Sequence, residues 1–247
     1  MTMAETRVSG RVICVGLGPG DPELMSVRAD RLIRGARHVA YFRKAGNGGQ
    51  ARRIVEGMIA PEATEHAMEY PVTTEIPFDD PEYGRLLAGF YEDWAGRLAA
   101  IAGTEEVVVL CEGDPFFYGS FMHLHARLQG RAPVEVVPGI TGMSGCWTAT
   151  GLPITWGDDV LTVLTGTLPE AELARRAAGT DALVVMKTGR NLPKLRRALE
   201  TAGRLDAAWL VERGTMPGQT VRRLCEADCA SAPYFSIVLV HGQGRRP

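Results

Sequence analysis

The sequence has no long apolar run and almost no excess of one charge. None of its apolar stretches approaches the roughly 18 residues of a membrane-spanning helix, and its first ten residues lack the apolar core of a secretion signal. A formal net charge of -2 provides no broad basic field to attract nucleic acid. With 45% hydrophobic and 23% charged residues, the composition is that of an ordinary globular protein. We therefore expect a cytoplasmic protein with no membrane or nucleic-acid partner.

Cysteine is also scarce, with five residues in the chain: Cys14, Cys111, Cys146, Cys225 and Cys229. The first two lie in apolar runs, where a thiol behaves as a small buried hydrophobe. Cys225 and Cys229 are four positions apart on a predicted helix and could supply half of a metal site. No second pair of Cys or His has matching spacing, so we predict no bound metal.

Apolar runs and amphipathic segments alternate along the first half of the chain. The run "RVICVGLG" predicts a strand, and Asp21 and Pro22 after it are residue types that begin helices. "HVAYF" predicts the next strand, which completes a parallel strand–helix–strand unit. "EVVVLCE" predicts a central strand buried on both faces. Further helices are predicted over residues 50–59, 82–102 and 118–129.

The sequence pattern changes at Pro138. Residues 138–153 are dense in Gly, Thr, Ser and Pro, show little periodicity and predict a connecting region. Four more apolar runs follow, "VLTVLT", "ALVVMK", "AWLVER" and "FSIVLVHG", with helical segments between them. The prediction is an α/β fold of two α/β domains, residues 1–137 and residues 138–247.

Two stretches, "VGLGPGDPELM" (15–25) and "LCEGDPFFYGS" (110–120), share one pattern. Each follows an apolar run, contains Gly-Asp-Pro and precedes a predicted helix. The first begins like the G-x-G-x-x-G fingerprint of dinucleotide-binding folds, but Asp21 occupies the third glycine position and would repel a pyrophosphate. An acidic, glycine-rich strand end better suits a ligand with hydroxyl groups and a positive charge, such as S-adenosylmethionine.

Five segments resemble, in order and spacing, the tetrapyrrole methylases, the two-domain methyltransferases of cobalamin and sirohaem synthesis. They are "VGLGPGDPEL", "EGDPFFYGS", "VVPGITGMSG", "ALVVMKTGRN" and "LVERGTMPGQ", and the resemblance runs from Val12 to Gly242. It implies a homodimer of two α/β domains of the tetrapyrrole methylase type. The cofactor S-adenosyl-L-methionine would lie in the cleft between the domains and would leave as S-adenosyl-L-homocysteine.

The resemblance also implies which residues bind the cofactor. They are Pro19, Glu112, Gly113, Asp114, Phe117, Thr141, Gly142, Met186, Thr188, Gly214 and Thr215. Position 112 is Glu where many relatives have Gly, so we expect its backbone to contribute more than its side chain.

Three segments, "EYPVTTE", "ERGTMPG" and "APYFSIVLVHGQGRRP", resemble the branch of the family that methylates carbon 20 of precorrin-2 to give precorrin-3A. That tetrapyrrole substrate is a polycarboxylate, and a net-acidic protein needs local cations to hold it, best supplied by arginine. The candidate substrate-binding residues are Gly18, Asp21, Arg43, Arg52, Arg53, Tyr118 and Arg213. For each cation the alternative is an ordinary solvated surface.

The ring proton lost after methyl transfer has several candidate acceptors, and no catalytic base is assigned among them. They are Glu112, Asp114, Tyr118, His123 and His125. Structural roles are the alternative, a turn cap for Asp114 and packing or surface placement for the two histidines.

Other functions remain open at this point. Another member of the family would act on a different ring carbon or on a cobalt-containing substrate such as cobalt-factor II. A non-catalytic tetrapyrrole- or nucleotide-binding protein on the same fold would release no S-adenosylhomocysteine. The missing third glycine disfavours a Rossmann-type oxidoreductase.

Overall fold

A computed structural model describes residues 10–73, 75–77, 80–229 and 232–246. Within these residues the chain forms two compact units, the first ending at Thr141 and the second beginning at Gly142. The sequence predicts the division after residue 137. Residues 1–9, on which most of the secretion-signal argument rests, lie outside the described residues. None of the described helices combines the length and the hydropathy that crossing a membrane requires.

The first unit contains a parallel sheet. Its strands lie in the spatial order β3-β2-β4-β1-β5, and the described pairings are parallel. They are β1 (Val12–Gly16), β2 (His38–Lys44), β3 (Thr64–Tyr70), β4 (Val107–Cys111) and β5 (Val134–Val137). The helices of the unit are α1 (Val27–Arg34), α2 (Gln50–Ile54), α3 (Pro81–Ala102) and α4 (Phe121–Leu128).

The apolar strands of this sheet determine where its loops meet. All residues of β1 and β4 are buried, with Phe90 of α3 in the core on one face and Ile33 of α1 on the other. Helices on both faces are what continuous apolar strands require. Because the strands are parallel, the loops 17–21, 112–118 and 138–141 all follow carboxyl ends at one edge of the sheet, where α/β proteins bind their ligands.

The second unit contains a mixed sheet in the order β6-β7-β10-β8-β9. Its strands are β6 (Leu161–Thr165), β7 (Ala182–Met186), β8 (Ala208–Glu212), β9 (Thr220–Arg223) and β10 (Ser236–Val240). Its helices are α5 (Gly142–Ala149), α6 (Glu170–Ala178) and α7 (Leu192–Thr201). β10 is antiparallel to both β7 and β8, so β7 and β8 end at the edge where β10 begins. The predicted α/β fold is confirmed.

The helix that follows the first Gly-Asp-Pro motif begins later than predicted. Asp21 accepts a hydrogen bond from the Glu23 N–H at 2.9 Å, but it begins only a 3-10 turn. α1 has a cap of its own, Ser26, whose Oγ accepts from the Ala29 N–H at 3.2 Å. Two successive caps therefore divide what the sequence pattern presents as one helix.

Two other predicted helices are shorter in the structure, and one is wrong. α2 ends at Ile54 rather than at residue 59. α4 begins at Phe121 because Tyr118 has φ +56°, outside the α-helical region. The helix predicted through Cys225 and Cys229 is only a 3-10 turn, Leu224–Glu226.

The predicted connecting region over residues 138–153 is wrong at its centre, which forms α5. This helix is held by close packing of small residues, and Gly145 and Cys146 are its buried members. A Cβ on Gly214 would lie 2.7 Å from the Cys146 sulfur. Met143 and Trp147 also pack against the core of the second unit, but an eight-residue helix that contains two glycines, a serine and a threonine gives only a weak helical signal in the sequence.

His241 predicts how stability depends on pH. This residue is only 7% exposed; its Nδ1 lies 3.0 Å from the Pro153 carbonyl oxygen, and its Nε2 lies 3.1 Å from Thr150 Oγ1. Burial lowers the pKa of His241, against the opposing effect of the Pro153 carbonyl. The unfolded chain therefore takes up a proton at a higher pH than the folded protein does, so the free energy of unfolding falls as pH decreases.

We expect this loss to begin near pH 6.5, the ordinary histidine pKa of about 6.5, and to continue through the lowered pKa of the folded state. Urea unfolding at a series of pH values would measure it. His241→Gln should lose less stability over that range than the wild type, although it starts less stable. Equal losses in the two proteins would contradict the assignment.

Candidate active site

The two Gly-Asp-Pro motifs are bonded to each other. The Leu17 N–H donates to the Cys111 carbonyl at 2.9 Å, and the Gly113 N–H donates to the Gly18 carbonyl at 2.8 Å. A return bond of 3.4 Å from Gly18 to Gly113 completes an antiparallel bridge. The pairing of β1 with β4 thus continues beyond the strand ends and brings the two stretches together.

Glycine is required where these loops meet the loop after β5. Gly18 and Gly113 have φ values of +79° and +65°, which side-chain-bearing residues rarely adopt. A Cβ on Gly16 would lie 2.7 Å from the Gly113 carbonyl oxygen, and a Cβ on Gly139 would overlap the same oxygen. Three loops therefore approach at backbone contact distance. Gly139 lies within the segment "VVPGITGMSG" but is not among the site residues predicted from the sequence.

Asp114 fastens two of these loops together. Its Oδ1 accepts from the Phe116 N–H at 2.9 Å, which closes its own turn. Its Oδ2 accepts from the Gly139 N–H at 3.1 Å, in the loop after β5. The structure thus gives this carboxylate a defined structural role, the turn cap that the sequence offered as the alternative to a proton acceptor.

The side chain of Glu112 has a contact that the sequence did not indicate. Its Oε1 accepts from the Ala51 N–H of α2 at 3.0 Å. Burial raises the pKa of Glu112, and hydrogen bonds from backbone N–H groups oppose that rise. Among the described residues, no lysine or arginine forms an ion pair with it. A contact across 61 positions of sequence leaves no local signal.

The aromatic run after the second motif is divided between core and surface. Phe121 is fully buried, whereas Phe116 and Tyr118 are 49% and 42% exposed. The Phe117 and Tyr118 rings meet edge to face, with centroids 4.9 Å apart. The exposed aromatic surface of this run is thus limited to residues 116–118.

The arginines predicted to bind substrate differ in what they contact. Arg52 is paired with both oxygens of Glu65, at 2.6 and 2.9 Å; this hydrogen bond raises the pKa of Arg52 and lowers that of Glu65. The terminal nitrogen of Arg43 is 2.6 Å from Glu69, while its buried Nε has no partner. Arg53 is exposed and has no ion pair within the described part of the chain.

Backbone strain is concentrated on the predicted site. In the described residues, positive φ values outside glycine occur at Tyr118 (+56°), Lys187 (+53°), Arg213 (+51°) and Thr215 (+64°). Three of these are predicted site residues, and Lys187 lies between Met186 and Thr188. Such conformations cost about 1–3 kcal/mol each and persist mainly where function or packing requires them.

In the second unit the predicted residues follow β7 and β8 at one edge of the sheet. Thr188 is fully buried, and its hydroxyl donates to the Ser236 carbonyl at 2.8 Å. The Arg213 N–H donates to the Phe235 carbonyl at 2.7 Å, and the Thr215 N–H donates to the Gln219 side chain at 2.7 Å. The first two bonds fix the ends of β7 and β8 against the start of β10, and the third closes the turn after β8.

The remaining predicted residues lie on the same two sets of loops. Pro19 is buried in the loop after β1, and Thr141 and Gly142 are partly buried at the division between the units. Gly214 packs against Cys146; burial raises the pKa of the Cys146 thiol to about 12, with the Gly214 backbone bond opposing. The structure therefore groups the predicted residues of each unit at one edge of its sheet.

Comparisons with known proteins identify the family of this chain. The sequence model of the Tetrapyrrole (Corrin/Porphyrin) Methylases matches residues 11–228. A precorrin-2 C(20)-methyltransferase from Sinorhizobium sp is 56% identical over 239 residues, which cover 96% of this chain and 98% of that protein. The cobalt-precorrin-2 C(20)-methyltransferase of Salmonella typhimurium is 27% identical, with 96% of this chain and 98% of that protein covered.

The fold has solved counterparts. The uroporphyrin-III C-methyl transferase of Thermus thermophilus, crystallised with S-adenosyl homocysteine, superposes with a TM-score of 0.65. The match covers 94% of this chain and 97% of that one at 23% identity. At this identity the likeness concerns the fold.

Removal of the Asp114 carboxylate tests its fastening role. Asp114→Ala loses two hydrogen bonds to backbone N–H groups, and at about 1 kcal/mol each the free energy of unfolding should fall by about 2 kcal/mol. Asp114→Asn keeps one acceptor oxygen and should lose about half as much. Urea unfolding measures both variants. Wild-type stability in Asp114→Ala would show that the loops do not depend on this carboxylate.

Proposed function

Because this chain belongs to the tetrapyrrole (corrin/porphyrin) methylases, we propose that it transfers the methyl group of S-adenosyl-L-methionine to carbon 20 of precorrin-2. The products are precorrin-3A and S-adenosyl-L-homocysteine, and the step belongs to cobalamin biosynthesis. One observation carries the choice of ring carbon and substrate: the 56% identity with a precorrin-2 C(20)-methyltransferase across nearly the whole of both chains.

The same comparisons weigh against the rivals named from the sequence. Identity with the enzyme that acts on cobalt-precorrin-2 is 27%, about half of the value for the metal-free substrate. This difference favours precorrin-2 over a cobalt-containing ring. A non-catalytic binding role is disfavoured because both of these relatives, from Sinorhizobium and from Salmonella, are named as methyltransferases.

The proposed cofactor site suits a cationic methyl donor. S-adenosylmethionine, when bound, supplies an electrophilic methyl group on a positively charged sulfur. Asp114 places a carboxyl group at the end of β4, and it is not ion-paired with a described arginine or lysine. Unpaired negative charge at this position attracts a sulfonium and disfavours a pyrophosphate. Gly113 has no side chain, so a ligand can approach its backbone closely.

The proposed cofactor-binding residues are those predicted from the sequence, in two groups. Pro19, Glu112, Gly113, Asp114, Phe117 and Thr141 belong to the first unit, and Gly142, Met186, Thr188, Gly214 and Thr215 to the second. The hydroxyl of Thr188 already donates to Ser236, so we assign Thr188 the role of holding the end of β7 in place.

Methyl transfer from sulfur to carbon requires alignment more than acid–base chemistry. The loops after β1, β4 and β5 are bonded to each other, so the residues on them need little rearrangement to bind. Because these loops are held in fixed positions, binding also aligns the methyl donor with the acceptor carbon. Such alignment can lower the activation barrier of methyl transfer by several kcal/mol. No catalytic base is assigned.

Arg53 is proposed to hold a substrate carboxylate, because it is exposed and has no ion pair among the described residues. Arg43 is retained as a candidate, although its terminal nitrogen is paired with Glu69 and its unpartnered Nε is buried. Arg52 is occupied by Glu65, so we assign it to the fold rather than to the ligand. In the second unit, Arg213 is exposed and strained and is retained as a candidate. The aromatic rings at residues 116–118, including Tyr118, offer a surface for the macrocycle.

The family resemblance also supports a homodimer, and a cytoplasmic location is proposed from the composition. Light scattering of the purified protein at several concentrations would measure its mass in solution. A monomeric mass throughout would contradict the dimer.

Substitution of Arg53 tests whether this side chain contacts the substrate or is only part of the solvated surface. Arg53→Ala should raise the KM for precorrin-2 about fivefold, the equivalent of ~1 kcal/mol for a partly exposed ion pair. Steady-state kinetics would measure it. Arg31→Ala, which removes an exposed arginine from the cavity beside Thr104 and Glu105, is the charge-matched control and should leave KM unchanged.

Arg52→Ala should instead lower the melting temperature, because it leaves Glu65 without its partner. If Arg53→Ala and Arg31→Ala behave alike, Arg53 belongs to the solvated surface.

The proposed reaction is tested by anaerobic incubation of the protein with precorrin-2 and S-adenosylmethionine. Mass spectrometry should show one added methyl group, and NMR should place it on carbon 20. Release of one S-adenosylhomocysteine per methyl group provides the control for the stoichiometry. A methyl group on another carbon, or transfer only to the cobalt-containing ring, would overturn the choice of substrate within the family.

A further inference from the structure

We propose that Glu112 is a positioning residue for the tetrapyrrole substrate: its carboxylate holds residues 49–53, and with them Arg53, against the end of β4. The inference rests on the proposed function, since it assumes that Arg53 contacts the substrate. It gives the Glu112 side chain a task that is separate from cofactor binding.

The start of α2 cannot supply its own cap. Gly49 precedes the helix with φ +78° and provides no side-chain hydrogen bond. A Cβ at this position would lie 2.8 Å from the Phe42 carbonyl oxygen and 3.3 Å from the Tyr41 ring. The residue must therefore be glycine, and none of the usual capping residues fits there.

Glu112 provides the missing acceptor from a neighbouring strand. β4 lies beside β2 in the sheet, and α2 follows β2, so the residue after β4 reaches the first turn of α2. The bond from the Ala51 N–H to Glu112 Oε1 is 3.0 Å long. Ala51 and Ile54 are buried, and Arg53 lies between them, so the position of the Arg53 side chain depends on how this turn is held.

The strength of the contact depends on the ionisation of Glu112. An ionised carboxylate accepts an N–H bond more strongly than a neutral acid does. Burial raises the pKa of Glu112, so the carboxylate is lost at a higher pH than in an ordinary glutamate. As pH falls, the hold on α2 weakens and the KM for the substrate should rise.

The surroundings of Glu112 contain few groups that could obscure this effect. Tyr70 of β3 faces it, and the pKa of Tyr70 is raised, mainly by burial and in part by the Glu112 charge. On α2, Arg52 is paired with Glu65. Cys111 precedes Glu112, with its thiol 3.7 Å from the Glu112 carbonyl oxygen.

Two substitutions test the role. Glu112→Ala removes the acceptor, and because the residue acts through Arg53, we expect the KM for precorrin-2 to rise about threefold, less than the fivefold rise expected for Arg53→Ala. Hydrogen exchange of residues 45–55 should accelerate. Glu112→Gln keeps an acceptor oxygen without the charge and should give intermediate values. The affinity for S-adenosylhomocysteine, measured by calorimetry, should stay within about twofold in both variants, since the backbone of residue 112 is unchanged.

Asp80→Ala is the matched control. It removes an equivalent carboxylate-to-backbone bond, from the Glu82 N–H to Asp80 Oδ1 at 2.8 Å, at the start of α3. It should lower stability without changing KM or the exchange of residues 45–55.

The pH profile provides a readout that a merely structural role would not change. The wild-type KM should rise toward low pH, and the Glu112→Gln profile should lack that rise. Unchanged exchange in Glu112→Ala, or a loss of cofactor affinity as large as the change in KM, would overturn the proposal. If the wild type methylates no precorrin-2, the proposed function fails, and hydrogen exchange, which needs no substrate, still tests the contact.

Discussion

The candidate site depends on backbone contact between three loops at the carboxyl edge of the parallel sheet. Gly113 is bonded to Gly18. A Cβ on Gly16 or Gly139 would clash with the carbonyl oxygen of Gly113, and the Asp114 carboxylate accepts a hydrogen bond from the Gly139 N–H. Each approach requires the absence of a side chain, so no single loop can change without moving the other two. The two Gly-Asp-Pro motifs have different roles, since Asp21 caps a 3-10 turn and Asp114 joins two loops.

This constraint suits methyl transfer. The reaction needs a donor and a carbon nucleophile held in line, and loops bonded to each other before binding provide such alignment at low entropic cost. Strained backbone at Tyr118, Arg213 and Thr215 falls on the same predicted segments, as expected where the fold is retained for function rather than for stability. The Asp114 carboxylate at the end of β4, which has no cationic partner among the described residues, matches the charge of a sulfonium.

Much of the fold follows from the sequence, because apolar runs such as Val107–Cys111 and the amphipathic face of α3 record their burial directly. α5 does not follow, since its eight residues include two glycines, a serine and a threonine, which are poor helix formers. The adjacent Arg52 and Arg53 look alike in sequence, and only the folded position of Glu65 separates them. The bond between Glu112 and Ala51 joins residues 61 positions apart, so no local sequence pattern predicts it either.

The most direct test of this account is a crystal structure of the protein with S-adenosylhomocysteine. We expect the ligand to lie at the carboxyl edge of the parallel sheet and to contact residues 112–117, with Gly113 still bonded to Gly18 and Asp114 still bonded to Gly139. A ligand at the opposite edge, or one whose binding separates these loops, would contradict the claim that a prearranged glycine contact forms the site.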